Sequence, residues 1–232
     1  MSYNTKFPIL IVILLFNLIF ITGCNTNISN PTTPPINSSG LDKGDIVIAE
    51  NAESTPDCTP ALTVSCEGAA YMSFSGDGEN WTDWIVYNSS YDNFNIANKF
   101  YGTIFGSGEK KVYARFMDGE GNLSPIEDLA YDTIIYEMPE LKYFRVEPDS
   151  VEMKIGEKKL FTAVGWSEGK EYEVPIDGDK VSWRHCCSVG EVSPKIGLQT
   201  YYTTTGITSA GTKNITASYE GKEASASIYI YE

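Results

Sequence analysis

The only histidine of the chain, His185, stands directly before two cysteines, Cys186 and Cys187. Imidazole and thiolate groups are common zinc ligands, and a histidine beside a cysteine is also the pair used by thiol nucleophiles. Consecutive residues of a strand point to opposite faces, so a strand cannot aim all three side chains at one ion. We predict a loop with a disulfide or free thiols at this position and no catalytic residues, and zinc binding by such a loop is the alternative.

The charge balance restricts the other functions that the chain can have. It contains 31 Asp and Glu residues against 17 Lys and Arg residues, a net charge of −14. A nucleic-acid partner is not expected, because binding to nucleic acid needs a basic face. Glycoside cleavage needs a cleft that holds two carboxyl groups at a fixed separation, and small strand-rich domains offer no obvious cleft. We predict that the chain is not an enzyme and has no cofactor.

Two acidic loops supply oxygen atoms that could bind calcium. Neither follows the twelve-residue EF-hand pattern, and turn formation accounts for the same residues, because Asp, Asn and Gly favour tight turns. We predict turns here, with calcium binding as the alternative. The residues concerned are Asp77, Glu79 and Asp83 in the first loop, and Asp118, Glu120 and Asn122 in the second.

The segments that position these groups have the period of β-strands. In 111–116, for example, Val112, Ala114 and Phe116 alternate with polar side chains and share one face. Short runs of this kind, bounded by Gly, Asp, Asn and Ser about every ten residues, are typical of β-sandwiches. No window shows the helical i, i+3, i+4, i+7 repeat. The predicted fold class is all-β.

One hairpin is marked by the dipeptide Asp77-Gly78, which supplies the positive φ angles of a tight turn. Trp81 and Trp84 follow it. Because they are three positions apart, we expect them to face opposite sides of a regular strand, one of them in the core.

Aromatic side chains are more frequent in the Gly- and Asn-rich segment after this hairpin than turns require. Exposed flat rings stack on sugars or anchor a protein partner, whereas the simpler interpretation places them in the core or in cross-strand pairs. We predict a binding surface formed by Trp84, Tyr87, Tyr91 and Tyr101. The same segment contains Phe94, Phe100 and Phe105.

The N-terminus has the order of a secretory signal, with one charge at Lys6 followed by an apolar run over 7–21 that is too short to span a bilayer. The sequence of 18–24 resembles the lipobox of bacterial lipoproteins. The resemblance implies cleavage after residue 23 and acylation of Cys24 by two or three chains, which hold a protein firmly at a membrane. The membrane would then be a partner through this anchor, with the protein facing outside the cytoplasm on the cell membrane or the outer membrane. An uncleaved anchor or an ordinary signal peptide is the alternative.

Residues 24–43 form the predicted tether after the signal peptide (1–23). The segment has no aromatic side chains and few apolar ones, so burial cannot offset the entropy of ordering it. Its prolines favour an extended chain that spans about 50 Å.

Four further cysteines are disulfide candidates, since an exported chain meets an oxidising environment. They allow three pairings, and the sequence does not choose among them. A Cys58–Cys66 bridge requires the chain to fold back at Thr59-Pro60, and a Cys186–Cys187 bridge would be vicinal and strained.

The region 44–137 resembles an immunoglobulin-like, fibronectin-like repeat of bacterial surface proteins. The residues that carry the resemblance are Ala70 to Trp84, Lys110 to Ser124 and Asp132 to Ile134. The segment 96–108 departs from the compact form of the repeat and predicts a longer loop.

The region 138–232 resembles the bacterial immunoglobulin-like group 2 domain. Trp183 is its expected core tryptophan, and Ile215, Ala217 and Tyr219 share one strand face. The residues that carry the resemblance are Phe144 to Pro148, Val151 to Glu157, Phe161 to Gly165, Val181 to Trp183, Gly190 to Ser193, Gly211 to Tyr219 and Ala224 to Ile230.

Together the resemblances imply two tandem immunoglobulin-like sandwiches on a lipid-anchored tether. The expected function is that of a non-enzymatic, surface-exposed lipoprotein for adhesion, spacing or protein–protein contact. The alternative is a carbohydrate-binding surface lipoprotein that uses the aromatic side chains of the first domain. The protein or glycan ligand is not identified by the sequence.

Overall fold

The computed structural model describes residues 40–187, 190–204 and 210–232. The predicted signal peptide (1–23), the predicted lipidation site Cys24 and the tether up to residue 39 lie outside the described residues. Within the described part, no helix is long and apolar enough to cross a membrane. Strands dominate, and the helical residues are confined to three single 3-10 turns, Ala49–Asn51, Glu168–Lys170 and Gly178–Lys180.

The first eight strands form a sandwich of two sheets. One sheet has the order β1-β3-β6 and the other β2-β8-β7-β4-β5. With the strands lettered A, A′, B, C, C′, E, F and G, the sheets read A-B-E and A′-G-F-C-C′, an immunoglobulin-like arrangement without a D strand. The strands are β1 (Asp45–Ile48), β2 (Ser54–Thr55), β3 (Leu62–Ser65), β4 (Tyr71–Ser75), β5 (Ile85–Val86), β6 (Ser90–Tyr91), β7 (Gly108–Met117) and β8 (Ala130–Tyr136).

The next eight strands form a second sandwich. Its sheets have the orders β9-β11-β14-β13 and β10-β16-β15-β12, which read A-B-E-D and A′-G-F-C. This is the strand order of an immunoglobulin sandwich with an added A′ strand that runs parallel to G. The predicted all-β, immunoglobulin-like fold class is therefore confirmed. The strands are β9 (Tyr143–Glu147), β10 (Ser150–Lys154), β11 (Lys158–Trp166), β12 (Ser182–His185), β13 (Glu191–Ser193), β14 (Gln199–Thr203), β15 (Gly211–Tyr219) and β16 (Lys222–Tyr231).

Each sandwich has its own hydrophobic core between its two sheets. Val112, Ala114 and Phe116 are fully buried in the first core, as their alternation along β7 predicts. Trp183 is buried in the second core. Burial of one such large side chain contributes about 2–3 kcal/mol to folding.

The first sandwich begins slightly before the predicted end of the tether. Leu41 packs against the first core, and the Lys43 ammonium lies 3.0 Å from the Asp128 carboxylate. The boundary at residue 43 stays a prediction, and Leu41 and Lys43 are the residues of the predicted tether that contact the first sandwich.

The strands at the edges of the four sheets are short, and the longest strands lie inside. Every edge strand has two to five residues. By contrast, β7, β11, β15 and β16 each have nine or ten residues.

Candidate functional site

Two tryptophan rings contact one arginine on the outer face of the five-stranded sheet. The Arg115 guanidinium is 4.3 Å from the Trp81 ring centroid and 4.6 Å from that of Trp84. The expectation that these tryptophans face opposite sides is therefore wrong. Trp81 makes only an isolated bridge with Ser75, and no regular strand joins the two tryptophans, so strand alternation does not apply.

Hydrogen bonds between Thr82 and the strand residues Ser73 and Phe74 fix the segment that carries both tryptophans. The Thr82 amide donates to the Phe74 carbonyl (2.9 Å), and the Phe74 amide donates to the Thr82 hydroxyl (3.0 Å). The buried Ser73 hydroxyl donates to the Thr82 carbonyl (2.9 Å). The predicted hairpin at Asp77-Gly78 turns through a five-residue loop, 76–80, because the pairing closes at Ser75 and Trp81.

A second cation lies over aromatic rings further along β7. The Lys111 ammonium is 3.6 Å from the Tyr131 centroid and 4.6 Å from the Tyr113 centroid. Tyr113 and Tyr131 are direct cross-strand partners, and their rings are 5.7 Å apart. Lys111, Tyr113 and Arg115 occupy alternate positions of β7 and therefore point to the same outer side.

We refer to Trp81, Trp84, Lys111, Tyr113, Arg115 and Tyr131 as the aromatic–cationic face. Within the described residues neither of its two cations lies in an ion pair. Partial burial lowers the pKa of Arg115, and its Nε atom is buried without a hydrogen-bond partner. Contacts between a cation and a ring contribute about 0.5–2 kcal/mol each, so the rings supply the stabilisation that carboxylates supply elsewhere.

A groove of about 240 Å³ opens beside this face, and two tyrosines line it. The Tyr91 ring stacks on the buried Phe74 ring, with centroids 5.2 Å apart and planes 15° apart. Tyr101 is 46% exposed. We call this the tyrosine groove. Its other lining residues are Thr82, Asp83, Ile85, Asn93, Phe94, Asn95 and Asn98.

The long loop between β6 and β7 presents Tyr101 because it rests on the loop 76–80. The Gly76 amide donates to the Tyr101 carbonyl (2.7 Å). Gly102 has a φ of +78° and packs so closely on the Asp77 carboxylate that a Cβ atom would collide with it. Asp77 is itself held by the amides of Glu79 and Asn80 (both 2.8 Å).

Hydrogen bonds to carboxylates also account for the acidic residues in the two loops that could have bound calcium. The pKa of Asp77 is lowered by hydrogen bonds from the Asn80 amide, the Asn80 side chain, the Glu79 amide and the Ser75 hydroxyl. Asp118 accepts hydrogen bonds from the amides of Glu120 and Asn122 (both 2.9 Å) in the same way. The geometry of both loops is that of carboxylate-capped turns, which accounts for the Asp and Asn residues in them.

The four predicted binding residues do not form one surface. Tyr91 and Tyr101 meet in the tyrosine groove, and Trp84 belongs to the aromatic–cationic face. Tyr87 packs against the first core, with its ring edge towards Phe116 (6.2 Å). Sequence reasoning missed Trp81, Lys111, Tyr113, Arg115 and Tyr131. The signal available for three of them was the outward set of alternate residues on β7.

The four cysteines in the described residues are free thiols. Cys58 is buried, donates to the Glu173 carbonyl of the second sandwich (3.5 Å) and accepts from Asn95 (3.3 Å). Burial raises its pKa to about 12. Cys66 is buried separately and donates to the Asp42 carbonyl (3.5 Å). The sulfur atoms of Cys186 and Cys187 lie 2.9 Å apart.

The same long loop contacts the second sandwich. The Lys99 ammonium lies 2.7 Å from the Asp177 carboxylate and 2.9 Å from that of Asp179. A pocket of about 220 Å³ lies at this contact. It is lined by Lys99, Asp177 and Asp179 together with Phe100 and Leu198.

No family model matches the sequence, and no curated protein matches it. Solved structures of surface domains are similar at low TM-scores. Domains 4 and 5 of the S-layer protein SbsC have a TM-score of 0.33 and 13% identity over 84% of this chain and 100% of that chain. The D00-D0 domain of Intimin has a TM-score of 0.29 and 13% identity over 83% of this chain and all of that chain.

A third similar structure is the Bacteroides ovatus protein SGBP-B of a mixed-linkage glucan utilization locus, in complex with a mixed-linkage heptasaccharide. Its TM-score is 0.27, with 13% identity over 80% of this chain and 44% of that chain. Likeness at this level carries no argument about function, and the immunoglobulin-like assignment rests on the strand order.

Proposed function

We propose that this chain is a non-enzymatic surface lipoprotein, anchored through Cys24, that binds a protein partner through the aromatic–cationic face. The observation that carries the proposal is the set of tryptophan, tyrosine and arginine side chains on one sheet face, where Tyr131 is exposed and the others are half-buried. These are the residue types that dominate the energetics of protein interfaces. A role in adhesion or in contact with cell-envelope proteins follows from such a face.

The electrostatics of the face support a specific partner. The chain carries a net charge of −14, yet Lys111 and Arg115 have no carboxylate partner among the described residues. A partner that supplies a carboxylate at this point would complete a charge-assisted hydrogen bond with Arg115 in a site already partly shielded from water.

The test is binding of the intact chain to arrays of matrix and cell-envelope proteins. Tyr131→Ala removes the ring under Lys111 and should weaken binding by tenfold or more. Tyr201→Ala is the matched control. Tyr201 is also an exposed tyrosine under a lysine, with its ring centroid 3.9 Å from the Lys158 ammonium, but it lies on the second sandwich. Equal loss in both variants, or no binding on any array together with turnover of chromogenic glycosides, contradicts the proposal.

The lipid anchor has its own test. Cells given a radioactive fatty acid should label the wild-type chain and leave Cys24→Ala unlabelled. An unlabelled wild-type chain removes the anchor from the proposal, whatever the binding result.

Carbohydrate binding is the second candidate, and the tyrosine groove favours it. Amide, hydroxyl and carboxylate groups surround two rings, which is the combination that stacks on a sugar and satisfies its hydroxyls. On a glycan array, Tyr101→Ala should lose binding, since Tyr101 is exposed and its loss leaves the core intact. Phe100→Ala is the control, because Phe100 is exposed nearby and does not line this groove. An unchanged glycan-binding profile in Tyr101→Ala excludes the tyrosine groove as a carbohydrate-binding site.

A further inference from the structure

Two adjacent thiols at the end of β12 are held in contact with each other. The Cys186 amide donates to the Asn214 carbonyl (3.0 Å), and the Asn214 amide donates to the Cys186 sulfur (3.2 Å). Cys187 has a left-handed backbone, with a φ of +70°. The two sulfur atoms are 2.9 Å apart, so each thiol is within reach of the other.

The two thiols differ in exposure and in charge. Cys187 is exposed and Cys186 is half-buried. The hydrogen bond from Cys187 lowers the pKa of Cys186, and the Asn214 amide and the charge of Lys213 act in the same direction. The pKa of Cys187 is raised, first by that same hydrogen bond. Cys186 therefore supplies the thiolate, which is the reactive form of cysteine.

A bridge between adjacent residues is suited to a reversible bond. Neighbouring Cα atoms across a trans peptide are about 3.8 Å apart, whereas disulfides prefer a separation of about 4.4–6.8 Å. A vicinal disulfide is therefore strained and easily reduced, and strained, exposed disulfides are the labile ones.

We propose that Cys186 and Cys187 form a thiol–disulfide exchange site that reacts with small-molecule disulfides. The Cys186 thiolate attacks one sulfur of the disulfide, forms a mixed disulfide and releases one thiolate. The Cys187 thiol loses its proton to solvent and attacks the Cys186 sulfur, which releases the second small thiol. The two protein thiols are oxidised by two electrons, and the small disulfide is reduced to two thiols.

The buried cysteines provide an internal comparison. Cys58 and Cys66 lie in the first sandwich with separate hydrogen-bond partners. Burial raises the pKa of both thiols. They should remain reduced under conditions that oxidise the pair on the second sandwich.

The experiment treats the reduced full-length chain with oxidised glutathione, blocks free thiols and maps tryptic peptides by mass. Cleavage after Arg184 and Lys195 yields the peptide 185–195, which contains Cys186 and Cys187 as its only cysteines. We expect this peptide to lose two hydrogens and to regain them with dithiothreitol. We expect Cys58 to be blocked only after unfolding.

Single substitutions separate the two roles. Cys187→Ser should accumulate a stable glutathione adduct on Cys186, and Cys186→Ser should form an adduct on Cys187 at least tenfold more slowly. A peptide 185–195 that stays reduced, or a wild-type peptide that carries two separate adducts, overturns the proposal. Equal adduct rates in the two variants overturn the assignment of Cys186 as the attacking thiol. Both side chains lie outside the core, and circular dichroism checks that the variants fold.

Discussion

The Lys99 ammonium of the first sandwich lies 2.7 Å from the Asp177 carboxylate of the second. Lys99 belongs to the loop that presents Tyr101 to the tyrosine groove, only two residues further along the chain. The contact between the sandwiches and the position of a proposed binding residue therefore depend on the same loop. A substitution at this ion pair should therefore alter the position of Tyr101 in the tyrosine groove.

Asp177→Asn should destabilise the chain more than Asp179→Asn does. Asp177 is buried and accepts a hydrogen bond from Lys99, whereas Asp179 is exposed. The Lys99 hydrogen bond lowers the pKa of Asp177. A lowered pKa stabilises the folded state fully above the unfolded value of about 3.9, and this contribution is lost as the pH falls through the lower folded value.

Urea unfolding at a series of pH values measures this effect. The difference in unfolding free energy between wild type and Asp177→Asn should be constant from pH 7 to pH 5 and should shrink below about pH 4. A difference that persists unchanged at low pH would contradict the role of the charged carboxylate.

Arg115→Met should lower the free energy of unfolding by about 1–2 kcal/mol. The substitution keeps much of the side-chain volume and removes two contacts between a cation and tryptophan rings. Arg184→Met is the control, because Arg184 is exposed and paired only with Glu223 at the surface, where such pairs contribute about 0–1 kcal/mol. Urea unfolding followed by circular dichroism measures both, and equal losses would show that the tryptophans do not stabilise through Arg115.

Gly102→Ala should lower the free energy of unfolding by about 2 kcal/mol or more, and Gly106→Ala should lower it by about 1 kcal/mol. Both glycines have a left-handed φ, which costs a residue with a Cβ atom roughly 1–2 kcal/mol. Only Gly102 also packs on Asp77, since a Cβ atom at Gly106 meets open space. Thermal unfolding measures the difference, and equal melting temperatures would show that the loop does not rest on Asp77.

Cys58 should resist iodoacetamide in the folded chain at pH 8. Its pKa is raised to about 12 by burial, so the thiolate fraction is very small. Cys186 provides the contrast, because the hydrogen bond from Cys187 lowers its pKa and a larger fraction of it is thiolate. Mass mapping after a short reaction, with and without urea, checks this. Rapid labelling of Cys58 in the absence of urea would show that the contact around it opens easily.

The all-β class and the core faces could be predicted because strand alternation is local. Val112, Ala114 and Phe116 alternate with polar residues in the sequence, and this alternation indicates which face of the strand is buried. Trp183 lies among segments with the same strand period and is also buried. The strand order and the contact of Lys99 with Asp177 depend on residues far apart in the chain, and no local pattern encodes them.

The aromatic–cationic face shows where this reasoning fails. The opposite orientation expected for Trp81 and Trp84 assumed a regular strand, whereas Thr82 is hydrogen-bonded to the Ser73 side chain and to the Phe74 backbone. Likewise, Tyr87 and Tyr91 have the same residue type and similar surroundings in the sequence. Only the folded chain places the first against Phe116 and the second along a groove.

The short outer strands have a consequence for contacts between copies of the chain. The exposed edge strands of a sheet can pair with those of neighbouring copies and so lead to aggregation, and a high local concentration raises the frequency of such encounters. An edge strand of two residues, as at β2, β5 and β6, offers too few free backbone groups for durable pairing. Many copies could therefore stand side by side without fusing into fibrils.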